Sequence, residues 1–288
     1  MYKKIILGTA QFDIKYGINH KTRKMRSSKI FRILNFLKKK NISFLDTARS
    51  YASSEEEIGK YFQKTNKKFK IITKFSFKSG DSIEKQFKKS FNLLGYLPDT
   101  ILAHGYRDYM NPKFHEQIKN IKKKYLIKNV GVSLYNIQEL TKILNYKKPD
   151  VIQVPINILD KRFLEKKIVK KLKNKSIKII GRSIFLQGLF FKNKKFIFKN
   201  FKNIKKQYNK LIEIACYEKM TLGELSLSWA FHLKEINNII IGVDSLSHLK
   251  KNFNSLNKRI SKESYNKIKK INLGNHSITK PYLWKIKQ

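Results

Sequence analysis

Eight short runs of apolar, mostly β-branched residues recur along the chain, and segments of helical character separate them. The predicted strands cover residues 4–8, 43–47, 69–75, 100–104, 129–133, 151–155, 177–183 and 238–243. Most of these runs do not alternate between apolar and polar residues, as is typical of parallel strands that are buried on both faces. Strands that alternate with helices in this way predict an α/β fold built on a parallel sheet.

The segments between the strands carry apolar residues at helical spacing, with lysine-rich opposite faces. In the first of them Ile30, Ile33, Leu34 and Leu37 share one face. Helix starts are expected at Ser53-Ser54 and Asp81-Ser82, because these residue types cap helices. Residues 221–233 and 261–271 predict extra helices near the C-terminus, whereas residues 183–201 show no clear period and are expected to cover a ligand after the seventh strand.

Eight strands and their helices allow either an open doubly wound sheet or a closed barrel. The open dinucleotide-binding sheet needs a G-x-G-x-x-G turn after its first strand. The sequence there is Gly8-Thr9-Ala10-Gln11-Phe12-Asp13, which lacks that turn. We therefore expect a (β/α)₈ TIM barrel with extra C-terminal helices. No linker-like stretch interrupts the chain, so residues 1–288 are expected to form a single domain.

The composition is typical of a globular cytoplasmic protein. Apolar residues make up 41% of the chain, and 20 Phe and 14 Tyr supply a sizeable core. No apolar run reaches the roughly 18 residues of a membrane span, and the N-terminus lacks a signal-peptide pattern. Cys216 is the only cysteine, so no intrachain disulfide and no cysteine-based metal site are expected.

The net charge of +44 has two explanations, nucleic-acid binding and a general bias toward lysine. Only eight of the 64 basic residues are Arg, and the lysines are spread over nearly the whole chain. Proteins that bind bases favour Arg and concentrated patches, so no nucleic-acid partner is expected. A positive field still attracts anionic substrates or phosphorylated cofactors toward a cleft.

Polar residues stand at the ends of three consecutive predicted strands, where the active site of such a barrel lies. Asp46 ends the second strand, Lys74 the third and His104 the fourth, and Tyr51 follows shortly after Asp46. A carboxylate and an ammonium next to buried strands are costly unless they pair with each other. We therefore expect Asp46 and Lys74 to form an ion pair.

This order of residues resembles the Asp–Tyr–Lys–His tetrad of the aldo-keto reductase superfamily. Similar segments are Leu7-Gly8-Thr9-Ala10-Gln11-Phe12, Asn129-Val130-Gly131-Val132-Ser133, Ile152-Gln153-Val154-Pro155-Ile156-Asn157 and Ile240-Ile241-Gly242-Val243 with Leu249-x-x-Asn252. The resemblance spans about residues 4 to 256. It implies an enzyme in which a nicotinamide cofactor exchanges a hydride with an aldehyde, ketone or sugar carbonyl.

In this hypothesis Tyr51 donates the proton that the carbonyl oxygen needs when the carbonyl is reduced, and accepts it in the oxidative direction. An unperturbed Tyr has a pKa near ~10. We expect the Lys74 ammonium, held by Asp46, to lower the pKa of Tyr51. His104 is expected to orient the carbonyl and to donate a hydrogen bond to its oxygen.

The resemblance also implies a set of cofactor-binding residues. Ser133 and Gln153 match positions that hold the carboxamide, although Leu134 replaces an Asn that the family often has. Arg182 stands where many members place an aromatic residue against the nicotinamide ring, and it is expected to stack there, to bind the pyrophosphate or to remain solvated. The full predicted set is Thr9, Ala10, Asp46, Ser133, Gln153, Arg182, Ser183, Gly242, Asp244, His248 and Asn252.

The preference between NADP(H) and NAD(H) remains open in the sequence. Asp244 would repel the 2′-phosphate of NADP(H), while His248, Lys250 and Lys251 partly compensate. Capping of the helix before Leu246 is an equally good role for Asp244-Ser245. The resemblance favours NADP(H), because it is the usual cofactor of the family, with NAD(H) as the alternative.

The substrate is expected to be a small carbonyl or sugar compound. The predicted contacts are Phe12, Tyr51, His104 and Arg107, with Tyr16, Tyr106 and Phe185 as further candidates. Two other functions stay open, namely a regulatory barrel that binds a nicotinamide without turnover, as in the potassium-channel β-subunits, and a basic nucleic-acid-binding protein. The sequence carries no pattern that defines an oligomeric state.

Overall fold

The computed structural model describes residues 2–14, 17–18, 24–273 and 277–286. Within them, eight parallel strands close into a barrel in the order of the sequence. The strands are β1 (Ile5–Gly8), β2 (Phe44–Asp46), β3 (Lys70–Phe75), β4 (Thr100–Ala103), β5 (Asn129–Ser133), β6 (Val151–Pro155), β7 (Lys178–Arg182) and β8 (Asn238–Gly242). The predicted (β/α)₈ barrel is confirmed, and each strand ends within one residue of its predicted bounds.

Twelve α-helices surround the barrel in the described part of the chain. They are α1 (Ser27–Lys39), α2 (Ser54–Thr65), α3 (Ile83–Leu94), α4 (Tyr106–Met110), α5 (Pro112–Lys124), α6 (Ile137–Tyr146), α7 (Lys166–Asn174), α8 (Lys194–Asn200), α9 (Lys205–Tyr217), α10 (Leu222–His232), α11 (Leu246–Ser255) and α12 (Lys262–Lys270). The predicted extra helices correspond to α10 and α12. None of these helices is both long and apolar enough to cross a bilayer.

The segment after β7 is more ordered than its sequence suggested. It contains a short 3₁₀ helix at Leu186–Phe191 and then α8. Inside the short helix, Gln187 and Gly188 have positive φ angles of 52° and 91°. A left-handed kink of this kind interrupts helical spacing, which explains why the sequence showed no period here.

The amphipathic pattern of α1 is confirmed, because its four predicted apolar residues are fully buried. Both predicted helix starts are confirmed, but only one of them has a side-chain cap. The Ser82 hydroxyl accepts a hydrogen bond of 3.1 Å from the Lys85 N–H and caps α3. α2 begins at Ser54 as predicted, with Ser53 at the N-cap position, but the Ser53 side chain makes no capping hydrogen bond.

The barrel interior is filled by one layer of apolar side chains. Its members are Ile6, Ile72, Leu102, Val151, Ile180 and Ile240, with Phe44 packed against them. Side chains on a strand alternate between its two faces, so the residue two positions later points to the same side. The next inward layer therefore consists of Gly8, Asp46, Lys74, His104, Gln153, Arg182 and Gly242, together with Ser133, which pairs with Gln153. The apolar layer thus closes the barrel beneath a layer of mostly polar residues.

Candidate active site

The Asp46–Lys74 ion pair lies at the centre of this polar layer. The Lys74 Nζ donates hydrogen bonds of 2.7 Å to Asp46 Oδ2 and 2.8 Å to the Thr47 carbonyl. Both charged side chains are buried, at 2% and 5% exposure. Two buried charges are tolerated only when they pair and when hydrogen bonds satisfy their remaining atoms. The predicted ion pair is therefore present, and it occupies the mouth of the barrel.

Gln153 completes the partners of Asp46 from the other side of the barrel. Its Nε2 donates a hydrogen bond of 2.7 Å to Asp46 Oδ1. One carboxylate oxygen thus faces Lys74 and the other faces Gln153. Hydrogen bonds therefore hold both oxygens of the Asp46 carboxylate, and one of these oxygens pairs with the Lys74 ammonium.

Tyr51 and His104 lie next to the ion pair. The Tyr51 hydroxyl is 3.5 Å from the Lys74 Nζ, and the ammonium lies 5.0 Å from the centre of the Tyr51 ring. The Tyr51 and His104 rings meet edge to face, with centroids 6.1 Å apart. Ser50 Oγ lies 3.4 Å from His104 Nδ1. The structure therefore brings all four predicted catalytic residues together.

The pKa of Tyr51 shifts in the direction opposite to our expectation. Burial raises it above the usual range, the Asp46 carboxylate raises it further, and the Arg182 guanidinium lowers it. Desolvation by burial is the largest of these contributions, so the pKa rises despite the nearby positive charge. The predicted lowering of the Tyr51 pKa is thus wrong. The phenol stays protonated at neutral pH, which is the form that donates a proton.

The pKa of His104 is lowered to about 3. Burial is the main cause, and the positive charges of Lys74, Arg182 and Lys78 add to it. The imidazole is therefore neutral in the physiological range. A neutral imidazole carries one N–H donor and one acceptor nitrogen. It can donate a hydrogen bond to a carbonyl oxygen without adding a charge.

The loop that carries Tyr51 is anchored by Glu55, a residue that the sequence analysis treated only as part of a helix start. Glu55 is 1% exposed, and its carboxylate accepts hydrogen bonds from Thr73 at 2.7 Å and from Ser90 at 2.8 and 2.9 Å. It also forms an ion pair with Arg49, which belongs to the Tyr51 loop. Thr73 directly precedes Lys74 in β3. Glu55 thus connects the loop of Tyr51 to the strand of Lys74.

The sequence offered a weak signal for this role of Glu55. It is one of only 20 acidic residues, yet it lies in a run of three glutamates that suited the first turn of α2. Only the burial of Glu55 distinguishes it from its neighbour Glu56, which forms an exposed ion pair with Lys60.

Arg182 lies at the edge of the cluster, at the end of β7. Its guanidinium stacks 4.0 Å above the Tyr135 ring and donates hydrogen bonds of 3.1 Å to the Leu134 carbonyl and 3.1 Å to Ser183 Oγ. Ser183 has a φ of 59°, in the left-handed region. Tyr135 was not predicted as a site residue, although it follows the end of β5 more closely than Tyr51 follows the end of β2.

Four further residues were predicted to bind the cofactor, namely Thr9, Ala10, Ser133 and Gly242. Ser133 ends β5 in the inward position and is 5% exposed. Gly242 is covered by the Gln11 side chain, which occupies the space that a Cβ would need. Thr9 and Ala10 are buried, and the Thr9 hydroxyl is bound to the Asp46 carbonyl and to Ser54. Thr9 therefore supports the loop around Asp46 and does not face an open surface.

The β8–α11 connection and α11 itself hold three predicted cofactor residues, namely Asp244, His248 and Asn252. The Ser245 hydroxyl accepts a hydrogen bond of 3.1 Å from the His248 N–H and caps α11, so capping belongs to Ser245. The partly exposed Asp244 carboxylate lies 4.0 Å from the His248 imidazole. Asn252 is partly buried one turn further along α11. The start of α11 thus presents backbone N–H groups at the strand-end side of the barrel.

The predicted substrate contacts differ in how far they are buried and in what they pack against. Phe12 is fully buried and belongs to the hydrophobic core, which argues against a direct contact with a substrate. Arg107 is exposed on α4, and Tyr106 beside it is partly buried. The Phe185 ring packs against Phe191 with centroids 5.0 Å apart. Tyr16 lies outside the described residues.

Several features of the polar layer fit a nicotinamide dinucleotide. The Gln153 amide oxygen makes no hydrogen bond to any described residue and can accept one from a carboxamide N–H. Arg182 supplies a positive charge beside Tyr51 and His104. The capped start of α11 supplies N–H groups of the kind that bind phosphate. These residues would hold the carboxamide, the ring and a phosphate.

Known proteins resemble this chain in both sequence and fold. Similar solved structures include an aldo-keto reductase from Bacillus halodurans in its holo form, with a TM-score of 0.73, 18% identity, and coverage of 93% of this chain and 91% of that one. Another is an aldo-keto reductase from Klebsiella pneumoniae in complex with NADP and acetate, with a TM-score of 0.69, 16% identity, and coverage of 93% and 90%. Curated proteins gave no significant match.

At these levels of identity the structural likenesses establish the fold alone. The sequence itself establishes the family, because the model of the Aldo/keto reductase family matches residues 4–273, nearly the whole length. This chain belongs to the aldo/keto reductase family.

Proposed function

We propose that this protein is an NAD(P)H-dependent oxidoreductase in which Tyr51 is the general acid that protonates a carbonyl oxygen. The observation that supports this proposal most directly is the contact of the Tyr51 hydroxyl with Lys74 at 3.5 Å, beside a neutral His104. The match to the family over residues 4–273 supports carbonyl chemistry with a nicotinamide cofactor. The same match and the closed sheet support one domain over residues 1–288.

Each residue of the cluster has a distinct role in this proposal. Tyr51, protonated because burial raises its pKa, donates its proton to the substrate oxygen. His104 donates a hydrogen bond to the same oxygen and holds it in place. Lys74 interacts with the phenolate oxygen that forms when the proton leaves, and Asp46 keeps Lys74 in position.

The bound cofactor would supply the hydride. Gln153 and Ser133 would orient the carboxamide, and the start of α11 would hold a phosphate. We favour NADP(H), because His248 and the lysines of α11 lie near that helix start, with NAD(H) as the alternative. The neighbour from Klebsiella pneumoniae is in complex with NADP, which supports the same choice.

The proposed substrates are aldehydes, ketones and sugar carbonyls, and the proposed setting is carbohydrate metabolism. Arg107 and Tyr106, on α4 beside His104, are the proposed substrate contacts. Thermal shift measurements with NADPH and NADH, followed by cofactor oxidation with a panel of aldoses, keto sugars and small aldehydes, define the cofactor and the substrate class.

Replacement of Tyr51 by Phe is the decisive test of the mechanism. The Tyr51→Phe variant removes the proton donor and keeps the ring, so turnover should fall by at least about 10²-fold, as expected for loss of a general acid. Cofactor binding should remain at the wild-type level. Full activity in this variant would contradict the assignment, and cofactor binding without turnover in the wild type would favour a regulatory barrel.

A further inference from the structure

Arg182 differs from the other partly buried arginines of the described chain. Arg49 and Arg162 each form an ion pair with a carboxylate that is itself buried, Glu55 and Asp160 respectively. Arg182 contacts only a tyrosine ring, a carbonyl and a hydroxyl, and among the described residues no carboxylate lies within ion-pair distance of it. Its positive charge is therefore fixed in position and not neutralised.

The charge of Arg182 acts on the reacting centre from this position. Arg182 belongs to the same inward layer as Lys74 and His104 at the mouth of the barrel. In agreement with this position, its charge shifts the pKa of Tyr51 and the pKa of His104. The nearby carboxylate of Asp46 does not cancel it, because that carboxylate is bonded to Lys74 on one side and Gln153 on the other.

A nicotinamide ring that exchanges a hydride with this substrate must lie within about 3–3.5 Å of the carbonyl carbon. The ring must therefore also lie within the field of Arg182. Oxidised nicotinamide carries a positive charge on the ring, whereas reduced nicotinamide is neutral. A fixed cation nearby repels the oxidised ring and leaves the reduced ring almost unaffected.

We propose that Arg182 makes the site bind the reduced nicotinamide more tightly than the oxidised one. This inference rests on the proposed function, because it requires a nicotinamide beside Tyr51. The same cation stabilises the negative charge that develops on the carbonyl oxygen during reduction. Because the oxidised ring is a product of carbonyl reduction, its repulsion by Arg182 favours its release from the site.

The test compares dissociation constants for NADPH and NADP⁺ in the wild type, Arg182→Met, Arg182→Lys and Arg32→Met. The two cofactor forms carry the same phosphates, so any contact of Arg182 with a phosphate cancels in the ratio of the two constants. Arg32 is exposed on α1 and serves as the matched control for loss of one positive charge. Cofactor fluorescence and calorimetry measure these constants without turnover, and NADH with NAD⁺ form a second pair.

The wild type should bind the reduced form more tightly than the oxidised form. Arg182→Met should shift the ratio toward the oxidised form by about tenfold, which corresponds to about 1.4 kcal/mol of charge repulsion. Arg182→Lys should keep most of the wild-type ratio, and Arg32→Met should leave it unchanged. A wild-type ratio in Arg182→Met would overturn the inference while the proposed function stands. If the wild type bound neither the reduced nor the oxidised cofactor, this result would instead contradict the proposed function.

Discussion

Gln153 and Asp46 are 107 residues apart in the sequence and share a hydrogen bond of 2.7 Å across the mouth of the barrel. They lie on β6 and β2, on opposite sides of an eight-stranded closed sheet. The bond fixes the carboxylate that holds Lys74, and Lys74 in turn contacts Tyr51. The geometry around the proposed acid therefore depends on closure of the whole barrel.

Asp46→Asn should strongly destabilise the protein. The substitution keeps the shape of the side chain but leaves the Lys74 ammonium buried without its counter-charge. Loss of one partner of a buried ion pair costs about 3–5 kcal/mol. Urea denaturation should show this loss in the free energy of unfolding. Asp81→Asn is the matched control, because Asp81 pairs with the exposed Lys85 and Lys89 and its loss should change the free energy of unfolding far less. Equal losses in the two variants would contradict the burial argument.

Glu55→Gln should reduce both stability and turnover. An amide in place of the carboxylate leaves Arg49 without a counter-charge and replaces one acceptor oxygen by a donor beside Thr73 and Ser90. We expect a loss of about 2–4 kcal/mol in the free energy of unfolding. Because the Tyr51 loop loses its anchor, kcat should fall more than the affinity for the cofactor.

Glu56→Gln provides the comparison for this change. Glu56 is the next residue in the same helix, and its ion pair with Lys60 is exposed. Its loss should change the free energy of unfolding by less than about 1 kcal/mol and leave kcat unaltered. Wild-type kcat in a folded Glu55→Gln variant would show that Glu55 stabilises the fold without positioning Tyr51.

His104 should make the protein less stable as the pH falls. Its pKa is about 3 in the folded protein and about 6.5 in an unfolded chain. Between these values the unfolded chain binds a proton that the folded protein does not, so the stability rises with pH through this window and His104 adds no further change above it. In His104→Gln, urea denaturation between about pH 5 and 7 should show a shallower dependence than in the wild type. Parallel curves for the two proteins would contradict this.

Asp244→Asn should change the choice between cofactors. The carboxylate of Asp244 lies at the start of α11, near the His248 imidazole, where we place a phosphate. Removal of its negative charge should improve binding of NADPH by a few-fold at low salt and leave NADH binding nearly unchanged, since only NADPH carries the 2′-phosphate. Dissociation constants for both cofactors measure the effect. An equal change for the two cofactors would place the 2′-phosphate elsewhere.

The sequence predicted most of the fold because its signals are local. Apolar runs and helical spacing located every strand, and the absence of the glycine-rich turn favoured a barrel over an open sheet. The segment after β7 was not predicted, since its helical turns are interrupted by the left-handed Gln187 and Gly188. Glu55 was taken for a helix-start residue because spacing alone does not distinguish a buried acid from an exposed one.

The placement of the tetrad was also accessible from the sequence. Asp46, Lys74 and His104 each stand two positions after an inward apolar residue, namely Phe44, Ile72 and Leu102. The period of two along a strand is enough to place all three side chains on the inside of a closed sheet. The electrostatics were not accessible, and the predicted direction of the Tyr51 pKa was wrong.

The sequence by itself determined the order of strands and helices and the residues that end each strand, because these follow from spacing along the chain. The tertiary structure decided which of those residues are shielded from solvent and which charges are paired with an opposite charge. Burial raises the pKa of Tyr51, Asp46 and Gln153 meet across the barrel, and Arg182 has no carboxylate partner among the described residues. Solvent exclusion and contacts between distant residues exist only after the sheet has closed, so no local pattern encodes them.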